Sequence, residues 1–175
     1  LDDGDRAYTV TLGATSSADG AFNGLDPADV ALTNTDNDSH NTIYVTTAAD
    51  VTDGDTSSLY ALWTNPGADG KVSLAEAITA ANATPNSPGS PDVIAFAIPG
   101  AGVHTISPTA ELPSITDPVV IDGLTQPGAA AGNLMAGTAH TLLIQLDGSL
   151  AGAASSGLRV LAPDTTIRGL VFSNW

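Results

Sequence analysis

No cysteine occurs anywhere in the chain, which excludes disulfide staples, thiolate nucleophiles, iron–sulfur clusters and thiolate zinc sites. Positive charge is nearly as scarce. Across 175 residues only Arg6, Lys71, Arg159 and Arg168 are basic, against 19 acidic residues, for a formal net charge of −15. So few cations cannot displace the counterions of a nucleic acid or answer an anionic membrane surface, so neither partner is expected. Glutamate is rare too: Glu76 and Glu111 are the only two, and the remaining acids are all aspartate. No apolar run approaches the ~20 residues of a membrane span. Aromatic residues make up 5% of the chain, which leaves little for the stacking platforms that line a polysaccharide-cleaving groove.

What is abundant fits turns. The sequence has 18 Gly and 11 Pro beside its many Asp, and Asp side chains bond nearby backbone N–H groups and tolerate left-handed conformations. The composition reads as all-β, with short strands joined by Asx, Gly and Pro turns. Extreme acidity with almost no Lys suits an extracellular or cell-surface setting in salt, on a bacterium. Calcium is the cation such a surface would attract. Leu1 is not an initiator Met and no signal peptide precedes it, so upstream residues are expected to have been removed or to lie elsewhere.

A three-residue phrase organises the last third. Ile121-Asp122-Gly123, Leu146-Asp147-Gly148 and Ile167-Arg168-Gly169 each close a short apolar run, and the second residues lie 25 and 21 positions apart. One strand and one Gly turn per period is the signature of a parallel β-solenoid. The expected fold is therefore all-β: a short β-sandwich remnant over residues 1–42, then a helix-capped right-handed parallel β-helix over residues 43–175. In the first part Tyr8–Leu12 and Val30–Asn34 alternate as the strands of a hairpin, and Thr35–Asp38 forms an acidic junction. In the second, Ser73–Ala83 is expected to be a helix. Ser73 supplies its N-cap, Glu76 completes a capping box, and Leu74, Ala77, Ile78 and Ala81 form the apolar face. Strands are expected at Ile43–Thr47, Val93–Ile98, Thr105–Ile106, Leu112–Ile115 and the three phrases. Val171, Phe172 and Trp175 would begin another strand. They make the chain either a piece of something longer or a subunit whose open edge accepts a strand, such as Tyr8–Leu12, from another copy.

Asp69-Gly70-Lys71-Val72-Ser73-Leu74-Ala75-Glu76-Ala77-Ile78, followed by Ala80-Ala81-Asn82, resembles the motif of the CSLREA domain. Ile94–Gly100, Leu112-Pro113, Ile121–Gly128 and Leu146–Ser149 extend the likeness over residues 43–175. The resemblance implies the start of a right-handed parallel β-helix in a large bacterial surface or secreted protein, without a catalytic activity. Val72 stands where the motif has Cys and Ala75 where it has Arg, which argues against chemistry at those two positions. The front piece is similar to the end of the sandwich repeats of such proteins.

The remaining constellations each have a plain reading and a sharper one. If the phrases stack in register, Asp122, Asp147 and Arg168 form one ladder. Asp122 and Asp147 could then be the paired carboxylates of a glycoside hydrolase. More simply, each Asp caps its turn and Arg168 pairs with Asp147. A lyase would use Arg159 or Arg168 as base, on a polyuronate that the chain's own charge repels. Asn65–Glu76 nearly fits a twelve-residue calcium loop, with Asn65, Asp69, Ser73 and Glu76 at ligand positions, but Gly67 offers no side-chain ligand. Further calcium candidates are the runs Asp2–Asp5, Asp36–Asp38 and Asp50–Asp55, with Asp36, Asp38, Asp53 and Asp55 as ligands. His40, His104 and His140 lack the spacing of a zinc site. A calcium-dependent carbohydrate-binding module would need Tyr60 or Trp63 as its stacking platform. The favoured function is a structural, non-enzymatic module for adhesion, matrix or filament assembly. Its expected partners are itself or more of its own chain, with carbohydrate as a further candidate.

Overall fold

The computed structural model describes residues 6–34, 40–87 and 89–175, and the chain divides into two units, Leu1–Ser39 and His40–Trp175. In the first unit, β1 (Arg6–Val10) and β2 (Val30–Asn34) form an antiparallel ribbon. Its register sets Tyr8 opposite Leu32 and Val10 opposite Val30. With side chains alternating along each strand, these four share one face, and all four are exposed. Thr15 and Leu25 close the connecting loop through a backbone hydrogen bond.

The second unit holds the core. Four β-branched runs build one parallel sheet: β3 (Thr42–Val45), β4 (Asp92–Phe96), β6 (Val119–Asp122) and β8 (Thr166–Arg168), in that spatial order. A second parallel sheet runs β5 (His104–Ile106), β7 (Ile144–Asp147), β9 (Leu170–Ser173). Register aligns Ile43, Ile94, Ile121 and Ile167 in one row, and Ile106, Leu146 and Phe172 in another. The first three residues of the isoleucine row and the first two of the other are fully buried. Each such side chain contributes about 2 kcal/mol by leaving water.

Two helices pack on this frame. Ser58 caps α1 (Leu59–Thr64), its Oγ accepting from Ala61 N at 3.0 Å, and Leu59 and Leu62 enter the core. Ser73 caps α2 (Leu74–Ala83) in a complete capping box, which buries Leu74, Ala77, Ile78 and Ala81. Thr84 Oγ1 accepts from Leu59 N and donates to Ala80 O, tying the start of α1 to the end of α2. Both helices lie against β3, and α2 also reaches β4.

The all-β expectation, a β-sandwich remnant followed by a helix-capped right-handed β-helix, is corrected. The chain is mixed α/β, 15% helical and 27% strand, with parallel sheets of four and three strands and neither the solenoid nor the sandwich. The ribbon gains no further strands among the described residues, and α1 forms where no helix was expected. Leu112–Ile115 is not a strand; only Ile115 bridges, to Val160. The three phrases misled because they do not occupy one ladder. Ile121 pairs with Ile167 in the four-stranded sheet, whereas Leu146 pairs with Phe172 in the other.

Candidate functional site

Asp122 and Asp147 do the same local work in different sheets. Each side chain accepts the N–H two residues on, from Leu124 and Ser149 respectively at 3.0 Å, and so caps a short 3-10 turn. Arg168 is cross-strand neighbour to Asp122, to which its Nη2 donates at 2.6 Å; it does not pair with Asp147. Asp122 raises the Arg168 pKa, first through that hydrogen bond and then through its charge. Asp147 is instead held below the usual carboxylate range, first by the Asn174 side chain and then by the Ser149 N–H. One acid is therefore locked to a guanidinium and the other is a solvated turn cap on a separate sheet. They do not form the facing pair that glycoside cleavage requires.

The glycine of each phrase serves packing. A Cβ on Gly123 would lie 2.2 Å from the Gly169 carbonyl oxygen, and one on Gly169, whose φ is +73°, would lie 2.6 Å from Leu124 N. Backbone meets backbone there without room for a methyl group.

Of the proposed calcium ligands, Asp53 meets Glu76 through its backbone N–H, and Asp55, Asn65 and Asp69 are held by other local hydrogen bonds. The Glu76 carboxylate, 1% exposed, accepts four hydrogen bonds: from Asp53 N and Gly54 N on Oε1, and from Ser73 N and Ser73 Oγ on Oε2, at 2.8–3.0 Å. Asp53 Oδ2 accepts from Ala68 N, Asp69 Oδ1 from Lys71 N and Asp55 Oδ1 from Ser57 N. The Asn65 carbonyl accepts from Asp55 N. The Ser57 bonds hold Asp55 below its ordinary pKa. A buried carboxylate with its lone pairs filled by backbone N–H groups is stable without a metal. The knot thus clasps the 53–55 and 65–73 loops onto the start of α2. Among the described residues no group of three or more His, Asp or Glu side chains is placed to hold a metal ion. Asp36 and Asp38, with the run Asp2–Asp5, lie outside the described residues. The histidines stand apart: His40 beside α1, His104 on β5, and His140 accepting from Gly132 N.

Two further features stand out, the first without a marker in the sequence. Asp92 opens β4 at 2% exposure, and its Oδ2 has no hydrogen-bond partner. Burial, and then the charge of Asp117, push its pKa up to about 7. Asn86 links the two acids, its Oδ1 accepting from Asp92 N while its Nδ2 donates to Asp117 Oδ2 and Pro118 O. A cleft of about 360 Å³ lies alongside, lined by Asn86, Ser90, Pro91, Pro118 and Asp164 among others. The second feature is an exposed group of rings. Trp63 and Tyr60 on α1 lie 6.1 Å apart between centroids, and the His40 ring lies 5.0 Å from Trp63. Both aromatics were named from the sequence as candidates for a stacking platform. The helix carrying them was not.

The sheet edges complete the inventory. Ile167 and Leu170 pack against the core only partly buried, and Phe172 is 46% exposed where its row-mates Ile106 and Leu146 are enclosed. No family model, curated protein or solved structure matches the chain.

Proposed function

We propose that this chain is a structural, non-enzymatic module of an extracellular bacterial surface protein, serving adhesion, matrix or filament assembly by strand addition between copies. The observation that carries the reading is the asymmetry of the second unit. The helices cover the β3 side of the four-stranded sheet. At the other end, β8 and β9 have no partner on their outer edges among the described residues, and Ile167, Leu170, Val171 and Phe172 are incompletely buried. An edge strand with apolar side chains is a template for another strand.

The same chain offers a donor. The β1–β2 ribbon exposes the apolar face of Tyr8, Val10, Val30 and Leu32, and an isolated two-stranded ribbon is marginal in water. Seating it on the β8–β9 edge of a second copy covers both surfaces at once. Head-to-tail repetition of that contact builds a filament. The charge of −15 opposes association, so salt or calcium promotes it by screening. The likeness of residues 69–82 to the CSLREA motif belongs to the same proposal and favours the surface setting.

Sedimentation velocity over a micromolar-to-millimolar concentration series, with and without calcium, tests it. Concentration-dependent assembly is expected, and Val10→Lys or Phe172→Lys should each abolish it while leaving the thermal midpoint unchanged. A monomer under every condition, or assembly indifferent to both substitutions, overturns the proposal.

A further inference from the structure

We propose that the outer face of α1 is a glycan-binding platform, in which Trp63, Tyr60 and His40 take a neutral pyranose oligosaccharide. The inference is independent of strand addition and rests on a different surface. In α1, Leu59 and Leu62 are fully buried, while Tyr60 and Trp63, each one position on, point outward, Trp63 at 57% exposure. The ring planes of Trp63 and Tyr60 are tilted by 35°, and those of Trp63 and His40 by 34°; the His40–Tyr60 centroid distance is 6.4 Å. The His40 and Tyr60 planes meet at 69°, edge to face, so the three rings do not form a parallel stack. The chain has few aromatics to place, and only two are Trp. Grouping one of them with Tyr60 in water, on the side of a helix that the core does not use, leaves an apolar patch of the kind that marks a ligand surface.

The size of the patch selects the class of occupant. Three partly exposed rings offer a few hundred Å² at most, well under the ~800 Å² per partner of a stable protein interface. One or two sugar rings match it. The C–H face of a pyranose lies flat on an aromatic face through many weak dispersion and C–H···π contacts. Charge narrows the choice. Residues 40–70 contain Asp50, Asp53, Asp55 and Asp69 and no Lys or Arg, so a uronate or sulfated glycan is repelled and a neutral one is not.

The experiment uses the full chain with Trp175→Phe, which leaves Trp63 as the single indole reporter. Cellohexaose, xylohexaose, mannohexaose and chitohexaose are titrated by fluorescence and calorimetry, with oligogalacturonate as the anionic probe. At least one neutral hexasaccharide should shift the Trp63 emission saturably, and oligogalacturonate should not. By calorimetry, Trp63→Ala should weaken that binding by at least about tenfold, with Tyr60→Ala weakening it less and both variants keeping the parent thermal midpoint. The proposal is overturned if no neutral probe binds or if oligogalacturonate binds instead. It is equally overturned if both variants bind like the parent, or if Trp63→Ala abolishes self-association, which would make the face an interface between copies.

Discussion

Replacing Asp92 by Asn tests the most costly group in the core. The carboxyl is 2% exposed, its Oδ2 is unpartnered, and the nearest charge, Asp117, has the same sign. Its register and hydrogen-bond neighbours are neutral: Asn86, Asn41 and Thr42 on the β3 side, and Pro118 and Val119 on the β6 side. Both burial and Asp117 disfavour the ionised form, which raises the pKa from 3.8 to about 7. Between those two values the native state holds a proton that the unfolded chain has released. Stability therefore falls as the pH rises through this window, by up to roughly 4 kcal/mol. Above about 7 the penalty is complete; below 3.8 it is absent. The Asn amide has the shape of the protonated acid and cannot ionise. Urea denaturation of both proteins across the window should give similar stabilities at its acid end. At mildly alkaline pH, Asp92→Asn should be more stable by about 2–4 kcal/mol. Comparing the two proteins cancels the pH response of the other carboxylates. Parallel pH profiles, or an Asn variant less stable throughout, would refute the assignment.

Gly123→Ala should cost about 3 kcal/mol or more, because the added methyl meets a backbone carbonyl that no side-chain rotation can move; thermal denaturation reads it directly, and a near-neutral substitution would show that the two sheet neighbours separate easily. Glu76→Gln should cost about 2–4 kcal/mol, since one amide cannot accept all four hydrogen bonds now converging on the carboxylate. Hydrogen exchange should show the loss first at the Asp53 and Gly54 amides, and unchanged protection there would refute the knot.

The parts of this protein that were legible are those whose causes lie within a few residues. Ser73 and Glu76 are three positions apart, so a capping box could be read from their order alone, and α2 forms with it. Alternating or β-branched runs placed β1, β2, β3, β4 and β6 to within a residue or two at most ends, because the apolar pattern of a strand is local. Asp before Gly located both turn caps for the same reason. By contrast, α1 has fewer than two turns and little intrinsic stability; it exists because Leu59 and Leu62 find a core and Thr84 receives its first N–H.

Pairing was decided by the tertiary structure. The sequence spaces its three phrases almost evenly, but spacing does not say which sheet a strand joins. Arg168 consequently meets Asp122 and not Asp147. The side chains of the loop candidates for calcium accept hydrogen bonds from separate backbone N–H groups, Glu76 from Asp53 and Gly54, Asp53 from Ala68, Asp69 from Lys71 and Asp55 from Ser57. Asp92 shows the limit most clearly, because an Asp opening an apolar run looks ordinary in one dimension. Tyr60 and Trp63 could be named as aromatics, but not the helix that sets them side by side. Composition and local order determined the charge, the turns, the capping box and most of the strands. Only the packed structure decided which acid lost its water and which rings kept theirs, because burial depends on every neighbour at once.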